Sequence, residues 1–306
     1  MKQESARTTR DEFEENGKTA LVLGGGGARG YAHLGVAQVL RSAGIEPDLV
    51  VGTSMGAVIG AAVANEANLE GMIKVLKRLD VNKILKISRE SRRELEKAIG
   101  KSLVREMGVR KRRKGETDKP PVKLARLFTF FKLMTKNSRI EDLPLQYAAV
   151  ATELDRGKEV VIRTGKVYRA AAASAAIPGF IPPVKLDGQS LIDGGVVDTL
   201  PVLPALNMGA KRILAIDVSE NLKRDPDNSP LALFYRTSKI RQLELTKTKN
   251  SIAKEKLGDR LQIMELPVGE INWLDFNRVE EAASIGREFA RKEISLINDL
   301  FNDSKK

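Results

Sequence analysis

The chain has 306 residues, 42% of them apolar but only 5% aromatic, and a formal charge of +12. That length can bury a full core as one large domain or two small ones. The absence of cysteine excludes a disulfide framework, a thiolate metal site and a thiol nucleophile, and it fits a reducing compartment. With no apolar stretch in the first residues and no run of 18 apolar residues anywhere, neither a signal peptide nor a membrane span is expected, and the chain reads as soluble and cytoplasmic.

Residues 1–17 are polar and expected to be a disordered tail. From Lys18 the pattern is a strand (Thr19–Leu23), a glycine loop (Gly24–Gly30) and a helix (Tyr31–Ala43). A second strand (Leu49–Val51), a turn at Ser54 and a small-residue helix (Ala57–Ala64) follow. This βαβα start predicts a mainly parallel sheet with helices on both faces, a three-layer α/β/α sandwich. Glu70 to Lys136 reads as helical and basic, broken near Gly115–Pro121, and looks like an insertion or cap. Strands are expected at Gln146–Ala151 and Glu159–Arg163, then an alanine-rich helix at Arg169–Ala176. Leu191–Asp193 reads as a strand end entering a turn, and Arg212–Val218 as a buried strand. A long polar helix (Leu231–Leu257), a short strand (Leu261–Leu266) and a helix from Asn277 complete the chain.

Charge is concentrated. Between Lys74 and Arg139 lie 22 Lys or Arg against 7 Asp or Glu, a local +15 that leaves the rest slightly acidic. Such a block either attracts a polyanion, such as an anionic membrane surface, or forms a solvated helical face. Within it, Leu124–Met134 carries Phe128, Phe130 and Phe131 among Lys123, Arg126, Lys132 and Lys136. A basic amphipathic helix with aromatic weight suits a membrane interface, and the alternative is an ordinary cap over the core. Nucleic acid is not expected, because no aromatic interleaving or known binding module accompanies the charges.

Two turns carry the chemistry. Gly52-Thr-Ser54-Met-Gly56 has the G-x-S-x-G pattern on a strand-to-helix turn, which needs neighbours without side chains and lifts the Ser hydroxyl clear of the sheet. The chain has one histidine, His33, and it precedes Ser54, so the Ser–acid–His order of the common elbow hydrolases is excluded. Ser54 is therefore either a structural turn residue or a nucleophile whose base is not histidine. The loop Gly24–Gly30 frees backbone N–H groups beside a helix N-terminus and suits a phosphate or an oxyanion. Gly25, Gly27 and Gly30 also satisfy G-x-G-x-x-G, with Glu46 or Asp48 near the distance of a ribose-binding acid, so a nucleotide site is an alternative. A Walker loop is excluded, because no Gly-Lys-Ser/Thr ends the run. Both turns close consecutive βα units and open on one sheet edge, where ligands of open α/β sheets bind. A nucleophile beside waiting N–H donors is what acyl transfer requires, and a dinucleotide site has no use for an exposed Ser. Asp193, at a strand end before Gly194-Gly195, is a candidate base, although an Asp-Gly pair is also an ordinary turn.

Taken in order, Gly25-Gly26-Gly27-Ala-Arg29-Gly30, Gly52-Thr-Ser54-Met-Gly56 and Asp193-Gly194-Gly195 resemble the patatin-like phospholipase family. Ala173-Ser174-Ala-Ala-Ile-Pro178 and Phe180-Ile-Pro-Pro183 agree with it. The resemblance covers roughly Lys18 to Val218 and implies a lipid acyl hydrolase that uses a Ser–Asp dyad. Ser54 is then the nucleophile and Asp193 the general base. N–H groups around Gly25, Gly26 and Gly27 form the oxyanion hole, Arg29 orients the loop or meets a lipid phosphate, and His33 is structural. The third motif reads Asp-Gly-Gly where many members have Asp-Gly-Ala. The implied substrate is a lipid ester, and no metal or organic cofactor is implied. A non-catalytic membrane adaptor on the same fold is the remaining alternative. The expected organisation is a catalytic domain over 18–220, with a basic helical insertion at 70–140, and a helical extension over 221–306 packed on the core.

Overall fold

The computed structural model describes residues 17–79, 81, 124–135, 137–219 and 230–302. The expected tail and most of the basic insertion fall outside these residues. In chain order the elements are β1 (Lys18–Leu23), α1 (Ala32–Ser42), β2 (Leu49–Thr53), α2 (Met55–Ala64), α3 (Leu69–Arg78) and α4 (Leu124–Met134). Next come β3 (Gln146–Glu153), β4 (Lys158–Ile162), α5 (Val167–Ser174), β5 (Val184–Leu186), β6 (Gln189–Asp193), α6 (Val202–Asn207) and β7 (Ala210–Asp217). The last are α7 (Pro230–Leu257), β8 (Leu261–Glu265), α8 (Val279–Lys292) and α9 (Ile294–Asn302).

The strands form one sheet in the order β5-β6-β3-β2-β1-β7-β8, with β4 also paired to β3. The pairs β3-β2, β2-β1, β1-β7 and β7-β8 are parallel, whereas β4 and β6 run antiparallel to β3 and β5 runs antiparallel to β6. Strands covered on both faces read as unbroken apolar runs, and their side chains alternate between two cores. Leu21, Leu23, Val50, Ala149, Leu214 and Ile216 join the core under α1 to α5, α8 and α9. Ala20, Val22, Leu49, Val51, Ala148 and Ala215 face the other core, closed by α6 and the end of α7. Helices thus cover both faces of a mainly parallel sheet, the three-layer α/β/α arrangement expected.

Three features differ from the sequence reading. The short helix α6 was not expected; it buries Val202, Pro204 and Ala205, and Leu200 just before it is buried too. The short strand expected at Leu261–Leu266 is β8, and its place as the edge strand beside β7 was not foreseen. Most of the aromatic face of α4 is withdrawn from solvent: Leu127, Phe130 and Phe131 are buried in the core, and the half-buried Phe128 packs edge-on against Tyr168 at 5.6 Å. The interface reading of these three phenylalanines is therefore corrected to a cap. Their apolar area is already spent on the core, and burying it there removes it from water as well as a bilayer would.

Candidate active site

β2 ends at Thr53, and α2 begins at Met55, which leaves one residue for the turn. Ser54 fills it at φ 53° and ψ −122°, a backbone conformation that costs a non-glycine residue of order 1–3 kcal/mol. The flanking glycines make the turn possible. A Cβ on Gly52 would lie 2.4 Å from the Gly56 carbonyl carbon, and one on Gly56 would lie 2.0 Å from the Leu23 oxygen. Ser54 occupies the N-cap of α2, yet its hydroxyl does not cap the helix. Instead Oγ donates to Oδ2 of Asp193 at 2.7 Å. The Ser54 N–H donates to the hydroxyl of Ser174 at 2.8 Å, and that hydroxyl donates to the Val150 carbonyl. The elbow is thereby tied to β3 and to the end of α5.

Asp193 reaches Ser54 through the sheet register. Thr53 pairs with Val150, and Asp193 pairs with Ala151, so the ends of β2 and β6 meet against adjacent residues of β3. Oδ1 of Asp193 accepts the Gly195 N–H at 2.7 Å, while Oδ2 accepts the Ser54 hydroxyl. Gly194 has no room for a side chain, since its Cβ would lie 2.1 Å from the Val150 oxygen. Burial pushes the Asp193 carboxyl up to about 6, against the pull of the hydrogen bonds from Ser54 and Gly195. At neutral pH the group is ionised, and it is a stronger base than an ordinary carboxylate. Ser54 and Asp193 are each only 7% exposed.

The glycine loop lies against the elbow: a Cβ on Gly25 would lie 3.3 Å from that of Ser54. Its three candidate donors are not equivalent. The Gly25 N–H donates to the Thr199 carbonyl at 2.9 Å and is already engaged. The N–H groups of Gly26 and Gly27 have no acceptor among the described residues. Gly27 adopts φ +58°, and a Cβ there would lie 2.2 Å from the Trp273 oxygen. Ala28 donates its N–H to that same oxygen, so residues beyond 206 buttress the loop. Gly30 makes room for Met55, whose Cγ would lie 2.5 Å from a Cβ. Arg29 is buried, and its Nε reaches the Gly26 carbonyl at 3.4 Å.

His33 is fully buried, and its Nε2 lies 2.8 Å from the Gly24 carbonyl oxygen. A carbonyl can only accept, so Nε2 carries the proton and the unpartnered Nδ1 is bare. Burial pushes the ring down to about 4, the Gly24 bond opposing. The imidazole is a neutral pin for the glycine loop. Asp48, the candidate ribose acid, accepts from the Thr19 N–H at 2.7 Å and the Thr19 hydroxyl at 2.8 Å. Asp48 and the Gly25 N–H are thus both engaged within the fold, while Glu46, the other candidate ribose acid, is exposed. Among the described residues no cluster of three His, Asp or Glu could hold a metal ion.

Helix α7 braces the site from behind. The Gln242 amide donates to the Gly195 carbonyl, and Lys249 bonds both Glu159 and the fully buried Asp198 carboxylate, the latter at 2.8 Å. Burial pushes Asp198 up to about 7, Lys249 pulling the other way. Sequence reasoning assigned no role to Ser174, Gln242, Lys249 or Trp273. The one signal was Ser174 itself, a lone hydroxyl in an alanine run.

The chain is thus an α/β/α protein with a serine elbow hydrogen-bonded to a buried carboxylate at the C-terminal edge of its sheet. The patatin-like phospholipase family model matches residues 21–206, and the chain belongs to that family. An uncharacterized NTE family protein of Mycobacterium tuberculosis is 35% identical over 202 residues, 66% of this chain and 49% of that protein. Human patatin-like phospholipase domain-containing protein 6 is 34% identical over 211 residues, 67% of this chain and 14% of that protein. Lysophospholipase NTE1 of Candida glabrata is 26% identical over 301 residues, 89% of this chain and 16% of that protein. The chain thus spans about half or less of these relatives. Among solved structures, VipD from Legionella pneumophila is similar at a TM-score of 0.46 and 15% identity, over 91% of this chain and 67% of that one.

Proposed function

We propose that the protein is a serine acyl hydrolase that cleaves lipid acyl esters, of the phospholipase A or lysophospholipase type, with a Ser54–Asp193 dyad. The observation that carries this reading is the 2.7 Å hydrogen bond from the Ser54 hydroxyl to a desolvated Asp193 carboxylate, on a strained backbone turn of the kind that gathers at active sites. Family membership and the name of the Candida glabrata relative support the lipid ester as substrate class.

In this mechanism Ser54 Oγ attacks the ester carbonyl carbon as its proton passes to Asp193 Oδ2. The carbonyl π bond becomes the oxyanion, which the Gly26 and Gly27 N–H groups and the N-terminus of α2 stabilise. Collapse expels the alcohol, which takes the proton from Asp193 and leaves an acyl-Ser54. Water attacks the acyl carbonyl, gives a proton to Asp193 and releases the fatty acid, and the proton returns to Ser54. Asp193 holds its place because Gly195 fixes Oδ1 and leaves Oδ2 for catalysis.

A fluorophosphonate probe and a panel of lipid esters of graded chain length test the proposal. Wild type is expected to label and turn over, and Ser54→Ala to do neither at unchanged circular dichroism. Labelling that persists in Ser54→Ala would place the nucleophile elsewhere. The basic stretch Lys74–Arg139 supplies attraction to anionic membranes, which a fall in vesicle binding with rising salt would register.

A further inference from the structure

Nine large apolar side chains stand exposed among the described residues, and five of them belong to α7: Leu233, Phe234, Ile240, Leu245 and Ile252. Two more, Leu154 and Val196, lie just beyond the C-terminal end of β3 and just after the Asp193 turn. Singly scattered surface apolar residues need no explanation, whereas several on one helix and beside the Asp193 turn invite a search for a contact surface.

The course of α7 sets where its exposed side chains lie. Ala253 and Leu257 are buried in the core with Ala210 and Leu261, which open β7 and β8. Gln242 touches Gly195 at the opposite, catalytic end of the sheet. Residues 230–241 therefore continue past that edge, by about 18 Å at the α-helical rise. Helical spacing turns Leu233 and Ile240 away from the side that carries Gln242, Lys249 and Ala253, and it puts Phe234 on the flank between the two sides. Leu154 lies three residues past Ala151, which is in register with Asp193, and so projects beyond the same edge.

Residues 230–242 contain Arg236, Lys239 and Arg241 and no acidic residue. Two copies of this helix placed face to face would oppose like charges, whereas anionic lipid headgroups complement them. We propose that the catalytic edge seats on a phospholipid bilayer, with Leu154, Val196, Leu233, Phe234 and Ile240 entering the headgroup layer and the basic side chains meeting anionic lipid. The proposal rests on the acyl-hydrolase reading for its purpose: it would bring lipid esters to the edge that holds Ser54.

The test compares the full wild-type chain with the triple variant Leu154→Ser, Leu233→Ser, Phe234→Ser on vesicles of phosphatidylcholine with and without phosphatidylglycerol. Vesicle partitioning should fall at least about tenfold in the variant, since three exposed apolar anchors are lost. The difference should persist at high salt, where attraction through Lys74–Arg139 is screened. Turnover of a monomeric short-chain ester should match wild type. An independent reading needs no variant: Trp273, the only tryptophan, holds the glycine loop at this edge, and brominated acyl chains should quench its fluorescence. Equal vesicle partitioning of variant and wild type, or an unquenched Trp273, would overturn the proposal. So would a dimer that the variant converts to monomer with vesicle binding unchanged, because the face would then belong to a second copy. Vesicle binding with quenching, in a wild type that neither labels nor hydrolyses any ester, would uphold the docking surface and defeat the hydrolase reading.

Discussion

Asp193→Asn should cost activity and return stability, with both effects tied to pH. The substitution keeps the size of the side chain and an oxygen for the Gly195 N–H, but it cannot take the Ser54 proton. Loss of a positioned base costs ~10²–10⁴ in rate, so turnover should fall by that order. The stability argument runs through linkage. The ordinary Asp pKa is 3.8, and burial raises it to about 6 in the folded chain. Because the folded value lies above the unfolded one, the favourable contribution of the protonated carboxyl is complete below pH 4. It is lost as pH rises through 6. At pH 7 and above, the fold holds an ionised carboxylate at a cost of about 3 kcal/mol relative to a neutral side chain. Asn carries no such cost. Urea unfolding of both proteins from pH 4 to 8 should give nearly equal stabilities at pH 4 and a variant more stable by up to about 3 kcal/mol at pH 8. A variant no more stable than wild type at pH 8 would refute the claim that desolvation of Asp193 sets its basicity. In wild type, kcat/KM should fall as pH drops through about 6.

Ser174→Ala should leave the buried Ser54 N–H without an acceptor; chemical denaturation should show a loss of roughly 1–3 kcal/mol. Its kcat should fall while the pH midpoint of the rate stays put, because Ser174 positions the elbow and holds no proton in the reaction. His33→Gln should retain most activity, since the amide can still donate to Gly24. It should also lose stability less steeply on acidification between pH 6.5 and 4, where the unfolded wild type gains a proton that the buried imidazole refuses. Lys249→Met should strand the buried Asp198 carboxylate and cost ~3–5 kcal/mol in a thermal or denaturant melt. Substituting Asp198→Asn in that background should recover part of the loss.

The two turns of the candidate site were legible because their demands are steric and local. A one-residue turn at Ser54 tolerates no Cβ at Gly52 or Gly56, and glycine is the only residue that satisfies it. The strands were legible because covering on both faces makes Thr19–Leu23 and Leu49–Val51 nearly unbroken apolar runs. What distance decides was hidden. An Asp-Gly pair looks the same in a surface turn as beside a nucleophile, and only the register of β6 on β3 separates them. Nor does the glycine run say which N–H is spent. Gly25 is engaged by Thr199, a residue 174 positions away whose own sequence context is unremarked. Phe130 and Phe131 mislead for a related reason: aromatic residues on a basic helix suit a bilayer or a core, and the tertiary partner alone chooses.

The absence of a His base changes where charge resides during the proposed reaction. A Ser–His pair begins neutral and separates charge as the hydroxyl proton moves. Here the site begins with one negative charge on Asp193; proton transfer neutralises it as the same charge forms on the ester oxygen. The charge is displaced rather than created. Burial that raises the Asp193 carboxyl to about 6 destabilises the starting anion, and the N–H groups of Gly26 and Gly27 with the α2 N-terminus stabilise its new position. Both ends of that displacement are held by backbone: Gly195 and the β3 register fix the donor end, while Trp273 and His33 fix the loop at the acceptor end. A carboxylate whose basicity approaches that of imidazole, facing preset amides, needs no third residue to take the serine proton.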